Sequence, residues 1–146
     1  MTRSSRASPN QSTWSAPFWD AVAEGRLVIQ ACLDCDRPIM YPKRICPYCL
    51  SEQLTWRESA GQGEVYSFTV QEAGPPSGFE DLVPYVLAIV RLEEGVQMMA
   101  NVVGPDASAT ACGDRVRVEF QEVDGGMTLP VFRRTGASAA DEVPGG

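Results

Sequence analysis

At 146 residues, with 44% hydrophobic and 21% charged residues, the chain has the composition of one folded unit and is too short for two large independent domains. Its formal charge of -7 repels a phosphate backbone at long range, so nucleic acid is not an expected partner. No run approaches the roughly 18 apolar residues of a membrane span, and the start, MTRSSRASPNQSTW, lacks the apolar core of a secretory signal; the cytoplasm is the expected compartment, with no membrane partner.

Residues 1–13 are rich in Ser, Thr, Arg and Asn, and 135–146 (TGASAADEVPGG) are equally poor in core residues, so both read as disordered tails. The first periodic segment is SAPFWDAVAEG. Ser15 can cap a helix, Pro17 suits its first turn, Asp20 lies toward its positive end, and Gly25 offers a stop. Phe18 and Val22 share one face, with Trp19 and Ala23 beside them. The two aromatics either pack on their own domain or anchor a partner, because exposed aromatic anchors are enriched at interfaces.

From Arg26 the pattern turns to LVIQACLDC, a strand running into a cysteine pair, and SEQLTWRES can return as a second strand. Between them four of the five cysteines fall as C-x2-C, ten residues, C-x2-C: Cys32, Cys35, Cys46 and Cys49. In a reducing compartment such clusters bind metal or do redox work more often than they form disulfides. Two such knuckles put four thiolates around one ion at about 2.3 Å, a closed tetrahedral site. An ion enclosed in that way has no position left for water or substrate, so its role is structural. The same sulfurs would hold iron in a rubredoxin-like electron carrier; zinc is favoured because no flavin or haem signature accompanies them. Residues 14–60 therefore read as a helix plus a zinc ribbon.

Beyond Gly61 the segments GEVYSFTVQ, YVLAIVRLE, VQMMANVV, RVRVEFQE and MTLPVFRR alternate as strands, separated by Gly, Pro and Asp-rich turns. Glu93-Glu94-Gly95 and Asp124-Gly125-Gly126 read as short hairpin turns. Tyr85 to Leu92 is apolar on both faces, as in a strand buried in a closed sheet. Tyr66, Phe68 and Val70 alternate onto one face, the ordinary core pattern. QEAGPPSGFEDLVP is a long connection, functional or mobile. The fold class is mainly β: an N-terminal helix and four-cysteine ribbon followed by a five-stranded OB-type barrel over 61–134.

The chain has no histidine, which removes Ser-His-Asp and Cys-His relays, histidine ligation and the commonest general base. Glu80-Asp81 and Glu93-Glu94 are acidic pairs in loops or turns, where solvation is the default, and neither a Walker loop nor a GxGxxG fingerprint occurs. Cys112 stands alone with nothing to activate it and reads as inert. No self-contained catalytic machinery is present, and no catalytic residue is assigned.

The order FWDAVAEGRLVIQACLDC, YPKRICPYC, GQGEVYSFTV, PYVLAIVRLEEGVQMMANVVG and CGDRVRVEFQEVDGGMTLPVFRR resembles the rubredoxin-like zinc-ribbon plus OB-fold proteins described as acyl-CoA-associated. The resemblance covers about residues 17–134. It implies a non-catalytic small subunit accompanying a thiolase-fold enzyme, a thiolase or a retro-aldolase of steroid side-chain breakdown, or in some relatives a hydratase of the MaoC type. It implies Cys32, Cys35, Cys46 and Cys49 as ligands of a structural zinc, and two small chains on a central thiolase-like dimer whose acyl-CoA tunnel the barrel borders. The chain departs from many knuckles in carrying Asp36 and Leu50 where glycine eases a positive φ; a less regular second knuckle is expected.

Arg37, Lys43 and Arg44 cluster on the ribbon loop, where they could meet acidic partner residues or CoA phosphates. Phe18 and Trp19 are the other candidate contacts. Two alternative functions compete with the accessory subunit: a free-standing OB module stacking single-stranded nucleic acid on Tyr66 and Phe68, and an iron-containing electron carrier.

Overall fold

A computed structural model of the chain describes residues 12–72, 84–123 and 126–136. Outside the described residues lie the expectations for 1–11 and 137–146 of the tails, for 73–83 with Glu80 and Asp81, and for Asp124 and Gly125 of the last turn. A 3-10 turn (Thr13–Ser15) leads into helix α1 (Ala16–Ala23). Eight strands follow: β1 (Val28–Cys32), β2 (Pro38–Ile39), β3 (Leu54–Glu58), β4 (Gln62–Gln71), β5 (Tyr85–Leu92), β6 (Gln97–Val103), β7 (Arg115–Glu122) and β8 (Thr128–Gly136). The last strand runs through Thr135 and Gly136, two residues past the expected end of the barrel.

Helix α1 starts with Pro17 in its first turn, where the missing N–H breaks no helical bond. Ser15 precedes it but caps nothing in it: its hydroxyl donates back to the Ser12 carbonyl at 3.0 Å and locks the 3-10 turn. Gly25 ends the helix at φ 78°, its N–H donating to Val22 O at 3.0 Å while Arg26 N–H reaches Ala21 O at 2.9 Å. That paired closure satisfies two terminal carbonyls and needs a left-handed residue between them. Of the two alternatives for the aromatics, Phe18 takes the inward one. At 4% exposure it is part of the chain's own core and offers no surface to a partner, and Trp19 packs edge-on against it at 4.9 Å.

The ribbon is a three-stranded antiparallel sheet, β2-β1-β3. All five β1 residues are buried, because β1 lies centrally and also receives α1. The barrel closes in the order β4-β5-β6-β8-β7, antiparallel except where β6 meets β8 at Val102 and Val103, the OB arrangement. Val86, Ala88, Val90 and Leu92 of β5 fill its interior, while Tyr85, Leu87 and Ile89 are half-buried on the outside. One apolar core runs through both parts, from Phe18, Val22, Leu27 and Ile29 to Val65, Val90 and Phe132. Helix, ribbon base and barrel are thus one packed body.

The alternation expected along β4 fails at one point. The pairing of β4 with β5 slips between Val65 and Ser67, and such a bulge inserts one residue and flips the inside-outside phase. Val65 stays at 1% exposure, Phe68 and Val70 return to the core, and Tyr66 swings outward to 51% exposure. Its ring is covered by the Arg91 guanidinium at 4.4 Å.

Two acidic groups fasten the joints, Glu94 from the pair read as solvated and Asp114 beside Cys112. Glu94, in the β5–β6 turn, accepts from Ser59 Oγ at 2.7 Å and from Ala60 N–H at 3.0 Å, pinning the ribbon-to-barrel crossing. Asp114 is fully buried and accepts from Arg134 Nε and from Ala111 N–H, each at 2.8 Å, tying the start of β7 to β8. Cys112 is exposed beside it.

Gly63 shows why the first barrel strand opens on glycines: a Cβ there would stand 2.3 Å from the Arg91 carbonyl oxygen, a backbone atom that cannot step aside. Gly63→Ala should lower stability by about 1–3 kcal/mol. Urea denaturation checks it: a reduced midpoint at unchanged m is expected, with the exposed Gln62→Ala as neutral control.

Candidate metal centre

Each knuckle is a tight turn hung on a strand. Asp36 N–H donates to Cys32 O at 2.9 Å and Leu50 N–H to Cys46 O at 2.9 Å, and both closing residues are left-handed, Asp36 at φ 60° and Leu50 at φ 66°. The second knuckle is therefore as regular as the first, contrary to the expectation drawn from Leu50; the turn geometry imposes the positive φ whatever the side chain. Backbone bonds across each turn hold the rest: Cys32 N–H meets Arg37 O at 3.0 Å and Cys46 N–H meets Ser51 O at 2.8 Å. Ser51 joins the knuckles, its hydroxyl donating to the Asp34 carboxylate of the first turn.

Gln30 is the positioning residue that sequence reading passed over. Buried at 4% on β1, it accepts from Lys43 N–H at 2.6 Å through Oε1 and donates to Lys43 O at 3.0 Å through Nε2. A single amide thereby satisfies both backbone groups of the loop that carries the second knuckle. Only a polar residue inside an otherwise apolar strand, LVIQAC, could have signalled it.

The four sulfurs of Cys32, Cys35, Cys46 and Cys49 all lie within 4.8 Å of one another. Two separations are 3.5 Å (Cys32 to Cys49) and 3.6 Å (Cys35 to Cys46). A tetrahedron with metal–sulfur bonds of about 2.3 Å has edges of about 3.8 Å, so the cluster fits one thiolate-preferring ion, and all the cysteines are free thiols. Cys32 and Cys46 are buried, with Cys35 half-buried and Cys49 exposed. An enclosing ring of four sulfurs leaves such an ion no site for a reactant.

The thiols differ in acidity as the surrounding N–H groups dictate. The backbone N–H of Cys35, 3.5 Å from the Cys32 sulfur, outweighs desolvation and brings Cys32 down to about 7. Desolvation opposes the same change at Cys46, yet the N–H groups of Cys49 and Tyr48 carry it downward. Cys49 receives a backbone N–H from Ser51, but desolvation and the three neighbouring thiols push it up to about 12. Cys35 likewise has an N–H from Arg37 and is still raised, by desolvation and the Cys46 and Cys32 thiols. Each close pair thus couples a thiol made more acidic to one made less acidic, and metal binding would displace the protons that remain.

The basic cluster is brought to the ribbon surface but is not a single patch: the Arg37 guanidinium sits over the Tyr48 ring at 4.7 Å and that of Arg44 faces the Trp14 ring at 5.6 Å. Lys43 is exposed between them. Around the knuckles the apolar side chains of Leu33, Tyr41, Ile45, Tyr48 and Leu50 all stand in solvent. No helix among the described residues is long and apolar enough to cross a membrane.

Known proteins share both parts. Residues 19–55 match the rubredoxin-like zinc ribbon domain of ChsH2 and residues 56–121 its C-terminal OB-fold domain. The chain is 36% identical over 94 residues to a DUF35 domain-containing scaffold protein of Methanothermobacter thermautotrophicus, covering 63% of this chain and 69% of that protein. It is 40% identical over 117 residues to a probable enoyl-CoA hydratase alpha subunit of Thermomonospora curvata, 80% of this chain but only 36% of that subunit's length. Among solved structures, a chain of the Ltp2-ChsH2(DUF35) aldolase superposes with a TM-score of 0.78 at 37% identity, over 87% of this chain and 98% of that one. A DUF35-family protein of unknown function from Sulfolobus solfataricus, at 12% identity and a TM-score of 0.59, shares the fold. With the ribbon and the barrel matched in the same order and at this identity, the chain belongs to the DUF35 family of ChsH2-type zinc-ribbon and OB-fold proteins.

Proposed function

We propose that the chain is a non-catalytic accessory subunit, its ribbon braced by zinc, that docks on a thiolase-fold enzyme acting on acyl-CoA thioesters. The observation that carries this reading is Leu50. It is held in left-handed backbone at φ 66° with its side chain 76% exposed, two features that each disfavour leucine in an isolated chain. A covering partner gives both a reason. Leu33, Ile45 and Tyr48 continue the same apolar surface around a metal cluster that has no room for substrate. Arg37, Lys43 and Arg44 rim it and would meet acidic partner residues or the phosphates of the partner's CoA. The related chain in an aldolase complex supports an aldolase-type partner; the thiolase fold of that partner, two such chains on a central dimer and a role in steroid side-chain or aromatic acid degradation belong to the same proposal.

A second reading has its own support. The relatives named hydratase alpha subunits favour a MaoC-type hydratase as partner, the chain then doing for a hydratase what it does for the aldolase type.

The metal is tested on the isolated chain by elemental analysis, which should give one zinc per chain, and by a thiol-competitive chelator. Metal removal should unfold the two knuckles and lower the transition temperature of the whole packed body. A colourless protein with iron absent is expected; stoichiometric iron would overturn the zinc assignment.

Docking is tested by co-expression with a thiolase-fold subunit and, in parallel, a MaoC-type hydratase subunit. Leu50→Asp should weaken the complex at least tenfold, since a charge would be desolvated at its centre. Leu50→Gly should leave the isolated chain as stable or more stable by up to about 1 kcal/mol, because glycine accepts positive φ, and yet weaken the complex. Turnover of an acyl-CoA by the isolated chain, or full binding by Leu50→Asp, would defeat the reading.

A further inference from the structure

The ribbon and the barrel line a groove of about 620 Å³ that adjoins the docking tip at Arg37 and Tyr48. Its ribbon wall carries Arg37, Met40, Tyr41 and Tyr48, and its barrel wall Ile89 and β6 from Gln97 to Met99. In an antiparallel ladder successive residues aim their N–H and C=O groups alternately toward and away from the partner strand. Met99, opposite Ile89 on β5, sends its N–H instead to the Tyr41 hydroxyl at 2.6 Å. Gln97, two residues earlier and opposite Arg91, shares that outward orientation. On this side β6 meets β8 only at Val102 and Val103, so among the described residues Gln97 and Met99 form an open strand edge, with a phenol oxygen standing where a neighbouring strand's carbonyl would be.

Resting on the accessory-subunit reading above, we propose that this edge receives an extended segment of the catalytic partner as an added strand, apolar toward the groove and carrying an acidic side chain that meets Arg37. Several observations select this occupant. The unpaired groups are backbone donors and acceptors at strand spacing, which only another extended backbone matches in series. The walls include the side chains of Met40, Met99, Tyr41 and Tyr48, which adapt to alternate residues of an added strand. Arg37 is the charged side chain in the groove lining, on a chain whose formal charge is -7, so an acidic side chain of the incoming segment has a partner here. The incoming carbonyl takes the Met99 N–H from Tyr41, whose ring is half exposed and free to turn aside.

The experiment uses the full chain in its co-expressed complex with the thiolase-fold subunit and reads amide hydrogen exchange at single residues. Gln97 N–H should slow at least tenfold on complex formation. Gln97→Pro deletes only that outward donor and should weaken the complex about fivefold to tenfold, the contribution of one backbone hydrogen bond with its packing; Gln97→Ala, which keeps the donor, should bind as the parent chain does. If Gln97→Pro fails to fold, Tyr41→Phe decides: Met99 N–H should exchange faster in the free variant and regain protection in the complex. An intact complex in which Gln97 exchanges at the free rate, or in which Met99 of Tyr41→Phe stays unprotected, overturns strand addition and leaves docking standing. Absence of any complex overturns both.

Discussion

Four sulfur atoms must come within bonding reach of one ion, and most of the N-terminal half is arranged to meet that constraint. The ribbon cannot hold itself by packing: its own buried cluster is Cys32, Ile39 and Cys46, with Cys35 and Leu54 against it. β2 is two residues long. Metal binding energies in such modules, on the order of 10 kcal/mol, exceed anything that cluster can contribute. The protein's part is to aim the thiols beforehand, by strand pairing at Cys32, by the Gln30 amide on the Lys43 backbone, and by Ser51 bridging the turns. With the ion serving as the ribbon's core, the apolar side chains of the knuckles are released from packing and can face outward.

That outward face is useful only if its direction is fixed, which the shared core provides. β1 is buried along its whole length beneath α1, and α1 also touches β8 of the barrel. Glu94 ties the crossing at Ser59 and Ala60. The ribbon therefore cannot swing on a linker, as loosely joined modules do. The groove beside β6 exists because of this rigidity: its walls belong to different parts of the chain, and the Tyr41 bond to Met99 spans them.

The architecture was largely legible in the residues. Cysteine spacing carries a specific coordination chemistry, and the alternation in β5 to β8 states its own strand periods, so the ribbon, the barrel and its five strands follow from pattern alone. What escaped pattern has local physical causes. The bulge after Val65 expels Tyr66 because one inserted residue reverses the phase, and nothing in GEVYSFTVQ marks where the insertion falls. Ser15 does not cap the helix because its hydroxyl is engaged with Ser12, accepting from the Ser12 N–H and donating to the Ser12 carbonyl. Gln30, Glu94 and Asp114 act through partners far along the chain, and such pairings become visible only when the fold brings them together. The proposed docking tip was half legible: Arg37, Lys43 and Arg44 drew notice as charge and Leu50 as a leucine where glycine eases the turn, whereas Leu33 and Ile45 looked like ordinary apolar residues until their exposure was known.

Among the described residues the chain gathers four thiols around one position, contains no histidine and places the buried carboxylate of Asp114 in an ion pair with Arg134. Breaking a buried pair of that kind leaves an uncompensated charge, so Asp114 is better understood as a lock on the barrel than as an acid in reserve. The surface presents two features: an exposed leucine in left-handed backbone on one knuckle and, among the described residues, an open strand edge at Gln97 and Met99. Both are liabilities for a solitary protein, since apolar tips and open edges invite aggregation. Their coexistence on one rigid body argues that they are normally covered, and by the same neighbour, because the two surfaces share Tyr41 and Tyr48 at their boundary.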